Sequence, residues 1–99
     1  MAKYFLTNKA VEDLAAIWEY TYDTWSEHQA DKYHEMLTSG FQEILEHPEL
    51  GKRYTEIDTS VMGFWVGKHI VFYRILPSGD IEVLRILHQR MDLKSPMED

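Results

Sequence analysis

The sequence contains no cysteine, which excludes disulfide bonds and metal sites built on thiolates. It also lacks any apolar run close to the roughly 20 residues that a membrane-spanning helix needs, because charged residues interrupt residues 1–20. A chain of 99 residues is long enough for one domain with its own hydrophobic core. We therefore expect a single domain over residues 1–99, with about residues 93–99 as a flexible tail, in a reducing cytoplasm.

Basic residues are scarce: 10 lysines and arginines stand against 17 acidic residues, for a formal net charge of −7. This excess of acid argues against general attraction to nucleic acid or to an anionic membrane. Residues 1–50 hold ten acids and three lysines, whereas residues 51–99 hold seven acids, seven bases and every arginine: Arg53, Arg74, Arg85 and Arg90. The second half therefore favours contact with an acidic partner, although the acidic first half also fits helices that simply carry surface carboxylates.

The first apolar run, Tyr4–Leu6, predicts a short strand. Thr7 or Asn8 can then cap a helix that ends near Trp25. Apolar residues at helical spacing predict the buried face of this helix: Val11, Leu14, Ala15, Trp18 and Tyr22.

A capping box of Ser26 and Gln29 predicts the start of a second helix, and Pro48 ends it. Its apolar side is predicted to contain Ala30, Tyr33, Leu37, Phe41, Ile44 and Leu45. Because the link between the two helices is short, they should form an antiparallel hairpin.

Strand patterns follow Gly51, at residues 53–57, 62–67, 69–76 and 81–88. The sequence thus predicts an α+β fold: an N-terminal strand and an antiparallel two-helix hairpin packed on a 3–4-stranded antiparallel sheet.

The last two strands are predicted to pair across the turn at residues 77–80. In the simplest register Arg74 faces Val83 and Arg85 faces Phe72, which places both arginines on one face of the sheet. The same register places His69 opposite His88.

Both faces of this strand pair are apolar, and one helical hairpin can cover only one of them. We expect the other face to remain uncovered and to bind a partner protein. The residues predicted to bind the partner are Arg74, Arg85, Arg90, Ile70, Phe72, Val83 and Leu87. The alternative is that the arginines pair with Glu82, Asp58 or Glu56 and the C-terminal tail covers the face.

Five segments, in order along the chain, resemble the ParE toxins of the RelE/ParE toxin–antitoxin superfamily. The first segment, residues 6–14 followed by 17–21, resembles the first helix of these toxins, and the second, Gln29-Ala30 with Tyr33 and Phe41, resembles the second helix. The other three are H-P-E-L-G at 47–51, G-K-H-I-V-F-Y-R at 67–74 and L-R-I-L-H-Q-R-M-D at 84–92. The resemblance covers roughly residues 4–93.

The resemblance implies a RelE-like fold and the toxin of a plasmid-stabilising type II toxin–antitoxin pair. It implies that a ParD-like ribbon-helix-helix antitoxin binds the toxin in a hetero-oligomer, and that the target is DNA gyrase, which the toxin inhibits by binding. No enzymatic activity, cofactor or direct nucleic-acid contact is implied.

Two other functions remain open. A RelE-like ribosome-dependent mRNA endoribonuclease needs cations and an acid/base, for which Arg74, Arg85 and His88 are the candidates. A non-toxic protein that binds the antitoxin as a co-repressor is the other. The five histidines lack the spacing of a metal motif, so no metal site is predicted.

Overall fold

The computed structural model describes residues 1–90, and the predicted tail at 93–99 lies outside the described residues. The chain begins with strand β1 (Tyr4–Leu6), followed by helices α1 (Asn8–Thr24) and α2 (Glu27–Glu46). A 3-10 turn (Pro48–Leu50) leads into the short strand β2 (Lys52–Arg53). The hairpin strands β3 (Met62–Val66), β4 (His69–Ile75) and β5 (Ile81–His88) complete the fold.

Side-chain caps fix the starts of both helices, as the sequence predicted. Thr7 Oγ1 accepts a hydrogen bond from the Ala10 amide at 3.1 Å, and Ser26 Oγ accepts one from the Gln29 amide at 3.1 Å. Each bond satisfies an amide that has no partner inside its own helix. The helices form the expected hairpin, and α2 ends directly before the His47–Pro48 pair.

Within residues 1–90 the strands form one five-stranded sheet in the order β1-β5-β4-β3-β2. β1 pairs parallel to β5, and the other pairs are antiparallel. The α+β class is confirmed, with two differences. The sheet has more strands than the 3–4 predicted, and the strand expected at 53–57 is reduced to the short β2. A turn replaces the rest of that strand, closed by a 2.9 Å bond from the Ile57 amide to the Tyr54 carbonyl.

The main core lies between the helices and one face of the sheet. Its buried residues are Ala10, Leu37, Phe41, Ile44, Val66, Val71, Tyr73, Ile81, Val83 and Ile86. The predicted apolar side of α2 is therefore confirmed. Tyr73 anchors the 3-10 turn to this core, because its hydroxyl donates to the Pro48 carbonyl and accepts from the Gly51 amide at 3.0 Å.

The predicted buried face of α1 is largely wrong. The face that reaches the core contains Ala10, Leu14 and Ile17, whereas Val11 is 53% exposed and Tyr22 is 48% exposed. The two candidate stripes are offset by about one residue along the helix, so they differ by roughly 100° in direction. Burial against the sheet, which local spacing does not encode, selects between them.

A second, smaller core lies on the opposite face of the sheet. Ile70, Phe72 and Leu87 are buried there beneath Tyr54 and Val61. The Tyr54 and Phe72 rings meet edge to face, 5.1 Å between centroids. Residues 54–61 thus cover part of the face that the helices leave open.

The described part of the chain has no helix that is long and apolar enough to cross a membrane.

Candidate functional site

The predicted register of β4 and β5 holds over only half of the hairpin. His69 faces His88 and Phe72 faces Arg85 as expected, but Arg74 faces Glu82 rather than Val83. The register shifts between Phe72 and Tyr73, so Leu84 is an extra residue in β5. This irregularity is a β-bulge, which re-aims the side chains on the bulged strand.

Arg85 is directed towards α1 and not outwards as a surface cation. Its Nε and a terminal nitrogen donate to the two Asp13 carboxylate oxygens at 2.8 and 3.0 Å. Asp13 also accepts a 3.0 Å bond from the Ile86 amide on the outer edge of β5. The pair is largely buried, so Arg85 holds the helical hairpin on the sheet.

Arg74 pairs with its cross-strand neighbour Glu82 at 2.9 Å. The side chains are 43% and 32% exposed, so this pair remains open to solvent. Glu82 was one of the alternative partners that the sequence suggested for the arginines. Arg90 is exposed, and its backbone amide donates to His88 Nδ1 at 3.1 Å.

The expectation of an uncovered cationic and aliphatic sheet face is wrong. Ile70, Phe72 and Leu87 are buried under residues 54–61, and Val83 faces the helices in the main core. Four of the seven residues predicted to bind a partner are therefore inaccessible in this conformation, and Arg85 is mostly so. Arg74 and Arg90 are the predicted residues that lie at the surface.

The residues of the nuclease alternative do not converge. His88 lies opposite His69 at one end of the β4–β5 hairpin, and Arg74 lies five residues further along β4, near the other end. At about 3.4 Å per residue, roughly 17 Å separates the two positions. One phosphodiester group cannot contact both side chains.

Tyr33, His69 and His88 form a polar cluster at the β3–β4 turn. Tyr33 Oη lies 2.7 Å from His69 Nδ1, and the two imidazole rings are 5.3 Å apart. Burial, reinforced by the nearby His88, lowers the pKa of His69 to about 4, so its ring is neutral at pH 7. The Tyr33 hydroxyl can then donate to Nδ1 while it accepts from the Lys68 amide at 2.9 Å. No group of three potential metal-ligating side chains occurs among residues 1–90.

Sequence reasoning missed the outer surface of the helical hairpin. Val11, Ala15, Trp18 and Tyr22 follow one another along α1 and face away from the main core. Their helical spacing was recognised but was assigned to the interior.

Known proteins resemble this chain along most of its length. Residues 4–93 match the family model described as the ParE toxin of the type II toxin–antitoxin system parDE. Toxin ParE1 of Mycobacterium tuberculosis (strain ATCC 25618 / H37Rv) is 36% identical over 92 residues, which cover 93% of this chain and 94% of the relative. Toxin ParE1 of Caulobacter vibrioides is 33% identical over 95 residues, covering 96% and 97%.

A solved structure described as the chromosomal ParDE TA system from P. aeruginosa has the same fold, with a TM-score of 0.75 over 89% of this chain and 95% of that one. Its sequence identity of 19% makes it a comparison of folds alone. The chain belongs to the ParE family: it is a toxin of a type II toxin–antitoxin system and not an enzyme.

Proposed function

We propose that this toxin inhibits DNA gyrase by binding it, and that a ParD-like ribbon-helix-helix antitoxin neutralises it in a cytoplasmic hetero-oligomer. Family membership supports the class of partner and target. The main support for action by binding is that the side chains capable of nuclease chemistry lie apart from one another. Arg85 is held by Asp13, Arg74 is held by Glu82, and His88 lies at the far end of the hairpin from Arg74.

Catalysis of phosphodiester cleavage needs cations and an acid/base group around one phosphate. Binding needs only an accessible and complementary surface, and a rigid scaffold to present it. The two cores on opposite faces of the sheet supply that rigidity. The proposal therefore assigns inhibition to surface contacts and not to bond chemistry.

Among the residues predicted to bind a partner, Arg74 and Arg90 are accessible. We assign them to the rim of an interface, where a charge mainly guides association and sets partner choice. Ile70, Phe72, Val83 and Leu87 support the sheet from inside. In this proposal Arg85 acts indirectly, because its pair with Asp13 positions α1.

A supercoiling assay tests the proposal. Purified toxin is added to gyrase, relaxed plasmid and ATP, with and without the antitoxin encoded beside it. We expect loss of supercoiling by the toxin alone and recovery when antitoxin is added. Unchanged supercoiling at a large molar excess of folded toxin contradicts gyrase as the target.

Variants refine the assay. Arg74→Glu and Arg90→Glu should weaken inhibition, whereas Arg53→Glu, at an exposed position in β2, is the control with the same charge change.

Transcript mapping during expression tests the nuclease alternative, which predicts mRNA cuts that disappear in His88→Ala. Expression without growth arrest would favour the co-repressor alternative.

A further inference from the structure

A pocket opens where the turn between α1 and α2 meets the turn between β3 and β4, and we call it the tip pocket. Its volume is about 580 Å³, which lies within the range of pockets that bind small molecules. Both helices, the β3–β4 turn and the ends of β4 and β5 contribute to its lining. The lining residues that bear on its chemistry are Tyr20, Trp25, Tyr33, Lys68, His69 and His88.

Hydrogen bonds to neighbouring elements fix the β3–β4 side of the pocket. The Lys68 amide donates to Tyr33 Oη at 2.9 Å, and the Lys68 carbonyl accepts from the Gln89 amide at 3.0 Å. The Tyr33 ring also meets the His69 ring edge to face, with centroids 5.4 Å apart. This side of the pocket is therefore formed before a ligand arrives, which lowers the entropic cost of binding.

Each of the two imidazoles presents an N–H donor. His69 Nδ1 accepts from the Tyr33 hydroxyl, and His88 Nδ1 accepts from the Arg90 amide. A neutral ring that accepts at Nδ1 carries its proton on Nε2. Within residues 1–90 neither Nε2 atom has a hydrogen-bond partner, and neither is sealed from solvent. Because both rings line the pocket, two Nε2–H groups are available to a ligand there.

The lining of the tip pocket is basic although the chain is acidic. Lys68 is exposed, and its ammonium pairs with no carboxylate of the described residues. None of the 17 acids of the sequence lines the pocket over residues 1–90. Asp23 precedes the lining residue Thr24 but lies about 100° away around α1, and Asp13 is neutralised by Arg85. The side of the pocket with Lys68 and the imidazoles therefore fits an anionic group.

The helical side of the pocket carries aromatic rings that the fold leaves uncovered. At the C-terminal end of α1, Tyr20 is 68% exposed and Trp25 is 73% exposed. Exposed apolar surface beside a pocket is typical of ligand-binding sites, and planar ligands stack on such rings. Gln29 adds an amide that can both donate and accept hydrogen bonds. This side therefore fits a planar ring with polar edges.

We propose that the tip pocket binds a small molecule in which an aromatic ring carries an anionic group, as in a nucleoside monophosphate. The ring stacks on Tyr20 and Trp25, and the anion accepts hydrogen bonds from Lys68 and from the two Nε2–H groups. The site does not depend on whether gyrase is the target of the toxin.

Four ligands test the two requirements: adenosine monophosphate, naphthoate, adenosine and inorganic phosphate. We expect isothermal titration calorimetry to show that an aromatic anion binds one molecule per toxin, at least tenfold tighter than adenosine or phosphate. The tighter of the two aromatic anions identifies phosphate or carboxylate as the preferred anionic group. If neither binds at least tenfold tighter than adenosine, the proposal is wrong.

Matched variants locate the bound ligand. Lys68→Gln removes the cation of the pocket, and Lys52→Gln makes the same change at an exposed position in β2. Trp25→Ala removes a stacking surface, and Tyr22→Ala removes an exposed ring of α1 that does not line the pocket. We expect at least tenfold weaker binding in the two pocket variants and less than threefold change in the two controls. Equal losses in a variant and its control overturn the site.

Nuclear magnetic resonance of the imidazole nitrogens gives a readout that does not depend on substitution. Saturation with the tighter aromatic anion should shift the Nε2 signals of His69 and His88. The signals of His34 and His47, which do not line the pocket, should stay in place. Unchanged His69 and His88 signals at saturation would show that the ligand binds elsewhere, and the proposal would fail. All four substituted side chains are exposed, so the variants should retain the fold, which circular dichroism melting checks.

Discussion

Arg85 and Asp13 join the last strand to the first helix across 72 positions of sequence, through two hydrogen bonds of 2.8 and 3.0 Å. The side chains are 18% and 15% exposed, so little solvent is available to replace either partner. Asp13 also accepts a hydrogen bond from the Ile86 amide. This amide lies on the edge of β5 beyond Val83, where the pairing with β1 has ended. One carboxylate thus neutralises a partly buried cation and accepts the hydrogen bond of a backbone amide at the edge of β5.

Asp13→Ala should destabilise the fold by about 2–4 kcal/mol, because it leaves a partly buried guanidinium without its counter-charge and an amide without its acceptor. Urea unfolding followed by tryptophan fluorescence measures the change. Glu82→Ala is the comparison, because it removes the more exposed ion pair with Arg74. That variant should change the free energy of unfolding by less than about 1 kcal/mol. Equal losses in the two variants would contradict the structural role of Asp13.

Local signals predicted the element boundaries well and the long-range contacts poorly. Thr7 and Ser26 cap helices through bonds to amides three residues away, so the sequence alone locates both helix starts. The strand pattern of β5, with five aliphatic residues among eight, was equally clear. The partner of Asp13, in contrast, depends on how the helical hairpin lies on the sheet, and no nearby residue encodes that.

The candidate site was misjudged for a related reason. The apolar residues of β4 and β5 show that both faces of this strand pair are apolar, but not whether the chain itself covers the second face. Residues 54–61 read as part strand and part loop, and only their position over Phe72 shows that they form a cover. The bulge at Leu84 is also invisible in the alternation of the strand, and it changes the position opposite Arg74.

The second core should contribute substantially to stability. Phe72 is fully buried, so Phe72→Ala should cost about 3–5 kcal/mol of unfolding free energy. Phe5→Ala is the control, because Phe5 is 45% exposed on β1, and it should cost less than about 1.5 kcal/mol. Chemical denaturation of both variants checks this. Near-native stability of Phe72→Ala would show that residues 54–61 do not cover this face in solution.

Substitutions at Gly67 and Gly79 distinguish the cost of backbone strain from the cost of side-chain crowding. Gly67 and Gly79 both have positive φ, at 58° and 92°, where an alanine is strained by roughly 1–2 kcal/mol. A Cβ at Gly79 meets nothing within 4 Å, whereas a Cβ at Gly67 lies 2.7 Å from both Met36 Cε and the Tyr33 hydroxyl. Gly67→Ala should therefore lower the melting temperature more than Gly79→Ala. An equal shift would mean that the Tyr33 and Met36 side chains move away at no cost.

The buried imidazole of His69 should make stability depend on pH. Its pKa is lowered to about 4 by burial and by the nearby His88, while the unfolded chain has a histidine pKa near 6.5. Between about pH 6.5 and 4 the unfolded state therefore binds a proton that the folded state does not. The free energy of unfolding is unaffected by this residue above pH 6.5 and falls as the pH drops through that window.

The slope should approach, without reaching, about 1.4 kcal/mol per pH unit, because the difference in protons bound by the unfolded and folded states stays below one at every pH. His69→Asn retains an acceptor for the Tyr33 hydroxyl and cannot titrate, so its stability should vary less over the same window. His28→Asn, at an exposed position at the start of α2, is the control and should keep the wild-type slope. Urea unfolding at half-unit pH intervals measures all three proteins. Parallel curves for wild type and His69→Asn would contradict the assignment of this pH dependence to His69.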